Sequence, residues 1–315
     1  MDWFSQLFGF KESDPDSNRA RLRMEDETLV STMNGRRVAV EDALALHARH
    51  PGATIQVASQ FNCLEFVGPS VVPEDGVTGY ADDDTQGPAC ALAAAGATVW
   101  RHLYVPVDGG LGQTRERQIN NLAGLEELLF TDAPLWRVRN GYTFADESQL
   151  SGVTARIERA DRSTLLGALR IGLQQEVEVT FEARTGWGFV PAAGQTKVTQ
   201  AFCSALSCAY SSTGELDAWE TFAILVLEGA YEAALRAAAL DRNQGSGSGT
   251  VWLTFLGGGA FGNRSTWIAD AIGRAVARTD HLGLHVRLAH HRAVSERLAT
   301  MVDEAVELAR KAAAL

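Results

Sequence analysis

The sequence predicts an α/β sandwich, in which helices cover both faces of a central sheet. Short apolar runs alternate with amphipathic runs along the chain, a pattern typical of strands that alternate with helices. Glycine-bearing turns stand directly before two of the predicted helices, at Gly87 and at Gly257. A third observation is the pair Asn140-Gly141 between two apolar segments, which predicts a β-hairpin.

The elements of the first half follow from local signals. A helix over 40–50 has helical apolar spacing and ends before Pro51-Gly52, a stop signal, and a short strand over 54–59 follows it. A second helix opens at 85–88, where threonine suits the N-cap and proline the first turn. We then predict a strand over 98–105, closed by Pro106, and a helix over 115–130.

The second half continues the alternation after the hairpin. The segment 165–181 is ambiguous, because its first half has helical spacing whereas 176–181 alternates like a strand. A long amphipathic helix over 219–239 precedes a linker-like segment over 243–249. The remaining predicted elements are a strand over 250–256, a helix over 265–277, a strand over 284–288 and a C-terminal helix from Ala293. We expect residues 1–25 to form a flexible N-terminal tail and 26–315 a single domain.

Composition excludes several classes of protein. The 315 residues are 46% hydrophobic, which is ample for a core, and the net charge of −11 argues against nucleic-acid or anionic-membrane partners. No apolar run approaches the roughly 20 residues of a membrane helix, and the first ten residues lack the pattern of a signal peptide. The four cysteines show no Cys-x-x-Cys spacing. We therefore expect a cytoplasmic protein with free thiols, no metal site and no cofactor.

A glycine-rich turn is the strongest functional signal. It joins an apolar strand to an amphipathic helix and consists of Gly257, Gly258, Gly259, Ala260, Phe261, Gly262 and Asn263. Glycines let backbone N–H groups approach an anion, and the helix start adds positive charge, so we predict a phosphate cradle. The alternative is a turn that merely connects strand and helix. The Gly-x-Gly-x-x-Gly spacing also fits a Rossmann fingerprint, but it comes late, without an acid at the end of the next strand.

A second helix start offers a partner for this turn. Thr85, Gln86 and Gly87 open the helix at 85–88, far from Gly257 in sequence. In an α/β sheet such loops lie at the carboxyl ends of strands and face one crevice, which would suit a diphosphate. The alternative is that this segment is simply a well-capped helix.

An acidic segment lies between the strand over 54–59 and this helix. Its carboxylates are Glu74, Asp75, Asp82, Asp83 and Asp84. Because carboxylates repel a diphosphate, we expect them to face a guanidinium or to activate water at a sugar. The alternative is a solvated loop whose last acids stabilise the following helix dipole.

Together these pieces resemble a macrodomain, and specifically the divergent MavL-like macrodomains that hydrolyse ADP-ribosyl-arginine. The resemblance extends from about residue 38 to about 292. The motifs that carry it are Gln56-Val57-Ala58-Ser59-Gln60-Phe61-Asn62, Pro73-Glu74-Asp75-Gly76, Thr85-Gln86-Gly87-Pro88-Ala89-Cys90-Ala91 and Leu256-Gly257-Gly258-Gly259-Ala260-Phe261-Gly262-Asn263. The usual Asn-Ala-Ala-Asn start is absent, and a β-rich insertion around 107–198 separates the ligand loops.

The resemblance implies a three-layer sandwich with a mixed sheet and ADP-ribose as ligand. The two glycine-bearing loops would hold the diphosphate, and Gln60 and Asn62 would lie near the ribose. Asp75 and Asp83, with Asp84 as the alternative to Asp83, would reach the distal ribose and the guanidinium. Phe261, by its place in the loop, is expected either at the ligand or against the core.

We therefore expect an ADP-ribosyl hydrolase acting on arginine of a modified protein. Ubiquitin is suggested as that protein only through the relatives. The alternatives are an ADP-ribose reader without catalysis and a nucleotide-dependent enzyme of another class, such as an oxidoreductase.

Overall fold

The structure, a computed structural model, describes residues 10–12, 38–40, 43–83, 85–185, 188–211, 215–291 and 295–313. Most of the predicted tail over 1–25 and the candidate residue Asp84 lie outside these ranges.

The centre of the molecule is a seven-stranded mixed sheet in the order β1-β8-β11-β3-β12-β13-β2. The strands are β1 (Phe10–Glu12), β2 (Val38–Val40), β3 (Thr54–Ala58), β8 (Gly172–Glu178), β11 (Lys197–Cys203), β12 (Thr250–Thr254) and β13 (His285–His291). The five strands from β11 to β2 are parallel, whereas β8 is antiparallel to both β11 and β1. The carboxyl ends of β3, β11 and β12 therefore lie at the same edge.

Helices cover both faces of this sheet, as predicted. They are α1 (Ala43–Arg49), α2 (Gln86–Ala93), α3 (Ala95–Leu103), α4 (Ala123–Leu129), α5 (Glu147–Arg159), α6 (Arg162–Ala168), α7 (Glu220–Asn243), α8 (Ser265–Thr279) and α9 (Glu296–Ala313). Alternate residues of β12 show the two layers. Val251 and Leu253 belong to the large core under α7 and α8, whereas Trp252 packs in the core that contains Leu46 of α1 and Cys90 of α2.

The segment 107–198 contains α4, α5 and α6 as well as strands. Three two-stranded hairpins are formed by β4 (Pro106–Val107) with β5 (Gly110–Leu111), β6 (Arg137–Arg139) with β7 (Tyr142–Phe144), and β9 (Phe181–Thr185) with β10 (Gly188–Pro191). The β6–β7 hairpin is the one predicted, and positive φ angles at Asn140 (+49°) and Gly141 (+74°) explain its sequence. Strand β8 of this segment joins the central sheet.

The predicted strand over 98–105 is wrong, because α3 occupies Ala95–Leu103. Its β-branched and aromatic residues favour a strand, but Thr98, Arg101 and His102 are buried at a helical spacing. Arg101 donates to the carbonyl of Cys63 (2.6 Å) and to the side chain of Gln174 (2.8 Å). These tertiary contacts override the local preference.

The predicted helix over 115–130 is confirmed only for Ala123–Leu129. Upstream, backbone N–H groups bond to distant partners instead of to the preceding turn. That of Arg115 donates to the Glu74 carboxylate (2.9 and 3.1 Å) and that of Asn121 to the carbonyl of Phe61 (2.9 Å). Within the described ranges, no helix is both long and apolar enough to cross a membrane.

Candidate active site

Strands β3 and β12 separate towards their carboxyl ends. They pair only over Thr54–Ile55 and Val251–Trp252, although both strands continue further. Beyond this point the N–H of Thr254 donates to the side-chain Oε1 of Gln56 (3.1 Å) rather than to the β3 backbone. The sheet therefore splits at its carboxyl edge, which is where α/β proteins place their ligands.

The start of α2 fills part of this split through Gln86. Its Nε2 donates to the carbonyl of Gln56 and its Oε1 accepts from the N–H of Ala58, both at 2.8 Å. Backbone groups of successive residues in a strand point to opposite sides. The Ser59 N–H donates to the carbonyl of Cys203 in β11, and the Ala53 carbonyl accepts from the N–H of Thr199 in β11. The Gln56 carbonyl and the Ala58 N–H, at even-numbered positions, therefore face β12. The carboxamide of Gln86 thus takes the place of a peptide group from an adjacent strand.

Gly87 brings α2 into direct contact with the end of β3. A Cβ at this position would lie 2.0 Å from the carbonyl oxygen of Ala58 and 3.0 Å from Cγ of Glu65. Thr85 is exposed, and its side chain makes no capping bond among the described residues; its N–H donates to Asp83 Oδ1 (2.8 Å). The amino end of α2 is thereby fixed at the split.

The glycine-rich turn follows β12, at the same edge of the sheet where α2 meets the end of β3. Gly257 and Gly262 have φ angles of +73° and +76°, which favour glycine. The N–H of Asn263 donates to the Gly257 carbonyl (3.0 Å), and its Nδ2 donates to the carbonyl of Leu206 after β11 (2.8 Å). These bonds close the turn and anchor it to the neighbouring strand end.

The outer part of the turn is open. Gly258, Gly259 and Ala260 are exposed, and α8 begins five residues further on, at Ser265. Across the described residues, no side chain caps the start of α8. First-turn N–H groups of a helix have no partner within it, so this end offers donors and positive dipole charge to an anion.

Phe261 joins the turn to an aromatic cluster. Its ring centroid lies 5.2 Å from that of Tyr142 and 5.8 Å from that of Tyr210, and the two tyrosine rings are 5.0 Å apart. Buried Tyr80 of the acidic segment and Ala91 of α2 pack in the same cluster. The glycine turn, α2 and the acidic segment therefore converge, and half-buried Phe261 packs against protein side chains.

Two contacts fix the acidic segment through Tyr80. Its hydroxyl accepts from the N–H of Glu65 (3.1 Å) and shares a hydrogen bond with Nε2 of His102 (2.7 Å). Burial and the Arg101 charge lower the pKa of His102 to about 3, so the ring is neutral at neutral pH. Because Tyr80 lies between Asp75 and Asp83, its anchoring positions both ends of the segment.

A fully buried ion pair lies behind this anchor. Arg101 Nη2 contacts both carboxylate oxygens of Glu65 at 2.9 Å, and its guanidinium lies 3.9 Å from the ring centroid of Phe202. Burial raises the pKa of Glu65 to about 7, while the Arg101 charge works against this rise. Such a pair is destabilised strongly if one partner is removed, because the other charge stays buried.

A second anchor comes from Arg184 of β9. Its guanidinium donates to the carbonyl oxygens of Ala81 (3.0 Å) and Asp83 (3.4 Å). The β9–β10 hairpin therefore holds the carboxyl end of the acidic segment through its backbone, and the Asp83 carboxylate is not used in this contact.

The charge of Asp83 acts on the aromatic cluster. It is half-buried, and one oxygen accepts from the Thr85 N–H. Burial raises the pKa of Tyr142, and the charges of Tyr210 and Asp83 raise it further. Asp83 is thus hydrogen-bonded to the residue that precedes α2, and its charge acts on the ring that packs on Phe261.

Glu74 and Asp75 lie on the one-turn 3-10 helix Pro73–Asp75 and are exposed. The Glu74 carboxylate accepts from the N–H of Arg115, and the Asp75 carboxylate accepts from the N–H of Val72 (2.9 Å). Their catalytic role stays a prediction, as does that of Asp84.

Three predicted ligand residues have internal positions. Gln60 exchanges two hydrogen bonds with the backbone of Phe66, at 3.1 and 2.7 Å. Asn62 donates to Gln118 (2.8 Å) and accepts from the Leu64 N–H (3.0 Å), and Phe61 is 2% exposed in the large core. These contacts shape the loop after β3, and a ligand role for the three residues stays a prediction.

Sequence reasoning missed Tyr142, Tyr210, His102 and Arg184 as parts of this region. Tyr142 directly follows the Asn140-Gly141 turn, so the hairpin was visible, but not its place against Phe261. Only long-range packing brings these side chains together.

In the part of the chain that the structure describes, no group of three or more His, Cys, Asp or Glu side chains could hold a metal ion. The four cysteines are buried and, within the described residues, none of them is in a disulfide; burial raises the pKa of Cys203 and Cys208 to about 12. The thiols of Cys203 and Cys208 are therefore protonated and poor ligands at neutral pH.

Comparison with known proteins finds similarity only in structure. No protein-family model matches the chain, and no curated protein matches it in sequence. It is similar to poly(ADP-ribose) glycohydrolase (PARG) from Thermomonospora curvata, with 13% identity, 94% of this chain and 85% of that chain covered, and a TM-score of 0.49. For PARG from Deinococcus radiodurans in complex with ADP-ribose, the identity is 11%, the coverage 95% of each chain and the TM-score 0.47. At these values the likeness assigns neither residues nor an activity.

Proposed function

We propose that this protein is an ADP-ribosyl hydrolase that removes ADP-ribose from a modified arginine of a protein substrate. The observation that carries the proposal is the convergence of α2, the glycine turn and the acidic segment on the Tyr142, Tyr210 and Phe261 rings. The choice of ADP-ribose and of arginine follows the resemblance to MavL-like macrodomains.

The diphosphate would lie in the split between β3 and β12. The exposed backbone of Gly258 and Gly259 and the uncapped start of α8 offer donors on one side. The amino end of α2, fixed by Gln86 and Gly87, adds a second helix start on the other. Two helix starts and a glycine turn around one crevice favour a ligand with two adjacent anionic groups.

The reaction needs a base and a way to stabilise positive charge at the anomeric carbon. In the proposed mechanism Asp83, or Asp84, takes a proton from water while the water oxygen bonds to the anomeric carbon. The bond from that carbon to the guanidine nitrogen breaks, and the proton passes to the departing nitrogen. The products are ADP-ribose and an arginine guanidinium. Nearby carboxylates stabilise the oxocarbenium-like transition state.

Recognition of the arginine is assigned to the other end of the acidic segment. A carboxylate binds a guanidinium through two parallel hydrogen bonds. Asp75 and Glu74 are exposed carboxylates on a turn that is fixed by bonds to Val72 and Arg115. An ADP-ribose reader would have little use for these acids, which is why we favour hydrolysis.

The test is release of ADP-ribose from proteins modified on arginine, glutamate or serine, with poly(ADP-ribose) as a further substrate. Modified ubiquitin is the first protein to try. We expect arginine-linked substrate to be preferred and Asp83→Asn to lower kcat by about 10²–10⁴-fold, the range for loss of a general base. The asparagine keeps an oxygen that can accept from the Thr85 N–H, so the helix start is preserved.

Asp82→Asn is the matched control, because it removes the same single negative charge from the acidic segment at an exposed neighbouring position. Equal turnover of wild type and Asp83→Asn would remove Asp83 from the mechanism. Calorimetric binding of ADP-ribose without release from any substrate would identify a reader instead. Reduction or oxidation of bound NAD would point to the oxidoreductase alternative.

A further inference from the structure

A second cavity of about 440 Å³ adjoins the acidic segment. It is lined by residues from three segments: 69–72, 115–120, and the tip of the β6–β7 hairpin at 138–141. The last two segments belong to the insertion predicted around 107–198.

The wall of this cavity is held by a continuous chain of amide hydrogen bonds. Asn62 Nδ2 donates to Gln118 Oε1 (2.8 Å), and Gln118 Nε2 donates to Asn140 Oδ1 (2.9 Å). Asn140 Nδ2 then donates to the carbonyl of Pro69 (2.9 Å). This chain links all three lining segments to the loop after β3, so the cavity is preformed.

Two of the predicted catalytic acids are bonded directly to lining residues. The Asp75 carboxylate accepts from the N–H of Val72, and the Glu74 carboxylate accepts from the N–H of Arg115. The cavity is therefore one hydrogen bond away from the turn assigned to the substrate guanidinium. Whatever occupies it lies beside the modified side chain.

The charges of the lining indicate what that occupant carries. Arg115 and Arg139 come from different segments, and both are exposed. Neither guanidinium pairs with a carboxylate within the described ranges; that of Arg139 lies 5.3 Å from the Phe144 ring. Glu116 also lines the cavity, so the lining presents two cationic points rather than a uniformly positive surface. A guanidinium group offers positive charge and hydrogen-bond donors that suit the carboxylate of a side chain.

We propose that this cavity docks the protein part of the substrate and takes an acidic side chain near the modified arginine. The inference rests on the proposed function for the identity of the reaction. The docking itself is a property of the cavity and can be measured without turnover. It gives the insertion a role, because segments 115–120 and 138–141 supply both cations.

The test uses peptides that contain the target arginine with either aspartate or asparagine as neighbours. Binding of the unmodified peptides is followed by fluorescence anisotropy, and kcat/KM is measured for the ADP-ribosylated peptides and for free ADP-ribosyl-arginine. The variants are Arg115→Gln and Arg139→Gln. Arg137→Gln is the control, because Arg137 is an exposed arginine on the same strand that does not line the cavity.

We expect the aspartate peptide to bind more tightly, and each cavity variant to weaken its binding by about three- to tenfold, mainly through KM in the kinetic assay. Free ADP-ribosyl-arginine should be hydrolysed equally by all variants. Equal binding of the two peptides to wild type, or equal losses on the free amino acid derivative, would overturn the docking role. Absence of hydrolysis with charge-dependent binding intact would overturn the proposed function alone.

Discussion

The Gln86 carboxamide provides the most direct test of how the crevice is built. Replacement by methionine keeps the side-chain length but removes both hydrogen bonds to β3. The Ala58 N–H and the Gln56 carbonyl, which face the split, would then lose their partners. Leaving a buried polar group unpaired costs about 1–3 kcal/mol. Because water reaches these two groups in part, we expect the loss of both hydrogen bonds to cost about 2–4 kcal/mol together. We expect a loss of unfolding free energy of this size.

Binding should fall together with stability, because Gln86 holds the start of α2 at the split. A displacement of that helix start would weaken ADP-ribose binding by at least about tenfold, which corresponds to 1.4 kcal/mol. The measurements are urea unfolding and calorimetry with ADP-ribose. Thr85→Ala serves as the stability control, since Thr85 is exposed and makes no side-chain cap in the described structure; we expect less than about 0.5 kcal/mol. Wild-type stability and wild-type affinity in Gln86→Met would refute the reasoning.

Three further outcomes follow from local geometry. Gly257→Ala should lower the free energy of unfolding in urea by about 2–5 kcal/mol, because the φ of Gly257 is +73° and a Cβ there would lie 2.4 Å from the Ala205 Cβ. Gly259→Ala is the control and should unfold like wild type, because a Cβ there would have no atom within 4 Å. Gly87→Ala should abolish ADP-ribose binding in calorimetry, because the added Cβ would overlap the Ala58 carbonyl at 2.0 Å; tight binding would contradict this. Burial lowers the pKa of His47 from 6.5 to about 4, so stability should fall by about 3 kcal/mol as the pH drops from about 6.5 towards 4, where only the unfolded chain binds the proton. Comparison of the urea midpoints of wild type and His47→Gln across this range separates the contribution of His47 from that of Glu65, whose raised pKa acts in the opposite direction. Parallel pH profiles of the two proteins would contradict the prediction.

The sequence predicted the architecture because its strongest signals are local. The two glycine-bearing turns, the Asn140-Gly141 hairpin and the long helix over 219–239 each depend on residues close in the chain. The strand predicted over 98–105 failed for the opposite reason. There the buried Arg101 guanidinium donates hydrogen bonds to Cys63, Glu65 and Gln174, which are far away in sequence. No local sequence pattern predicts a helix that is stabilised by such distant polar partners.

The same division applies to the site. The glycine turn and Gly87 could be recognised because backbone conformation and close approach demand particular residues. The surroundings of Gln60 and Asn62 could not, because they are covered by the hairpin tip: a Cβ on Gly141 would lie 2.5 Å from Cβ of Gln60 and 2.7 Å from Oδ1 of Asn62. A hairpin can be predicted from sequence, but the surface on which it docks cannot.

The bond between Gln56 and the Thr254 N–H joins residues 198 positions apart. One wall of the crevice is thus synthesised well before the other, with the whole insertion between them. Contacts of such long range form slowly, since the intervening chain must be ordered first. During refolding from denaturant, the ability to retain ADP-ribose should therefore return only in the last kinetic phase, well after helical circular dichroism has recovered.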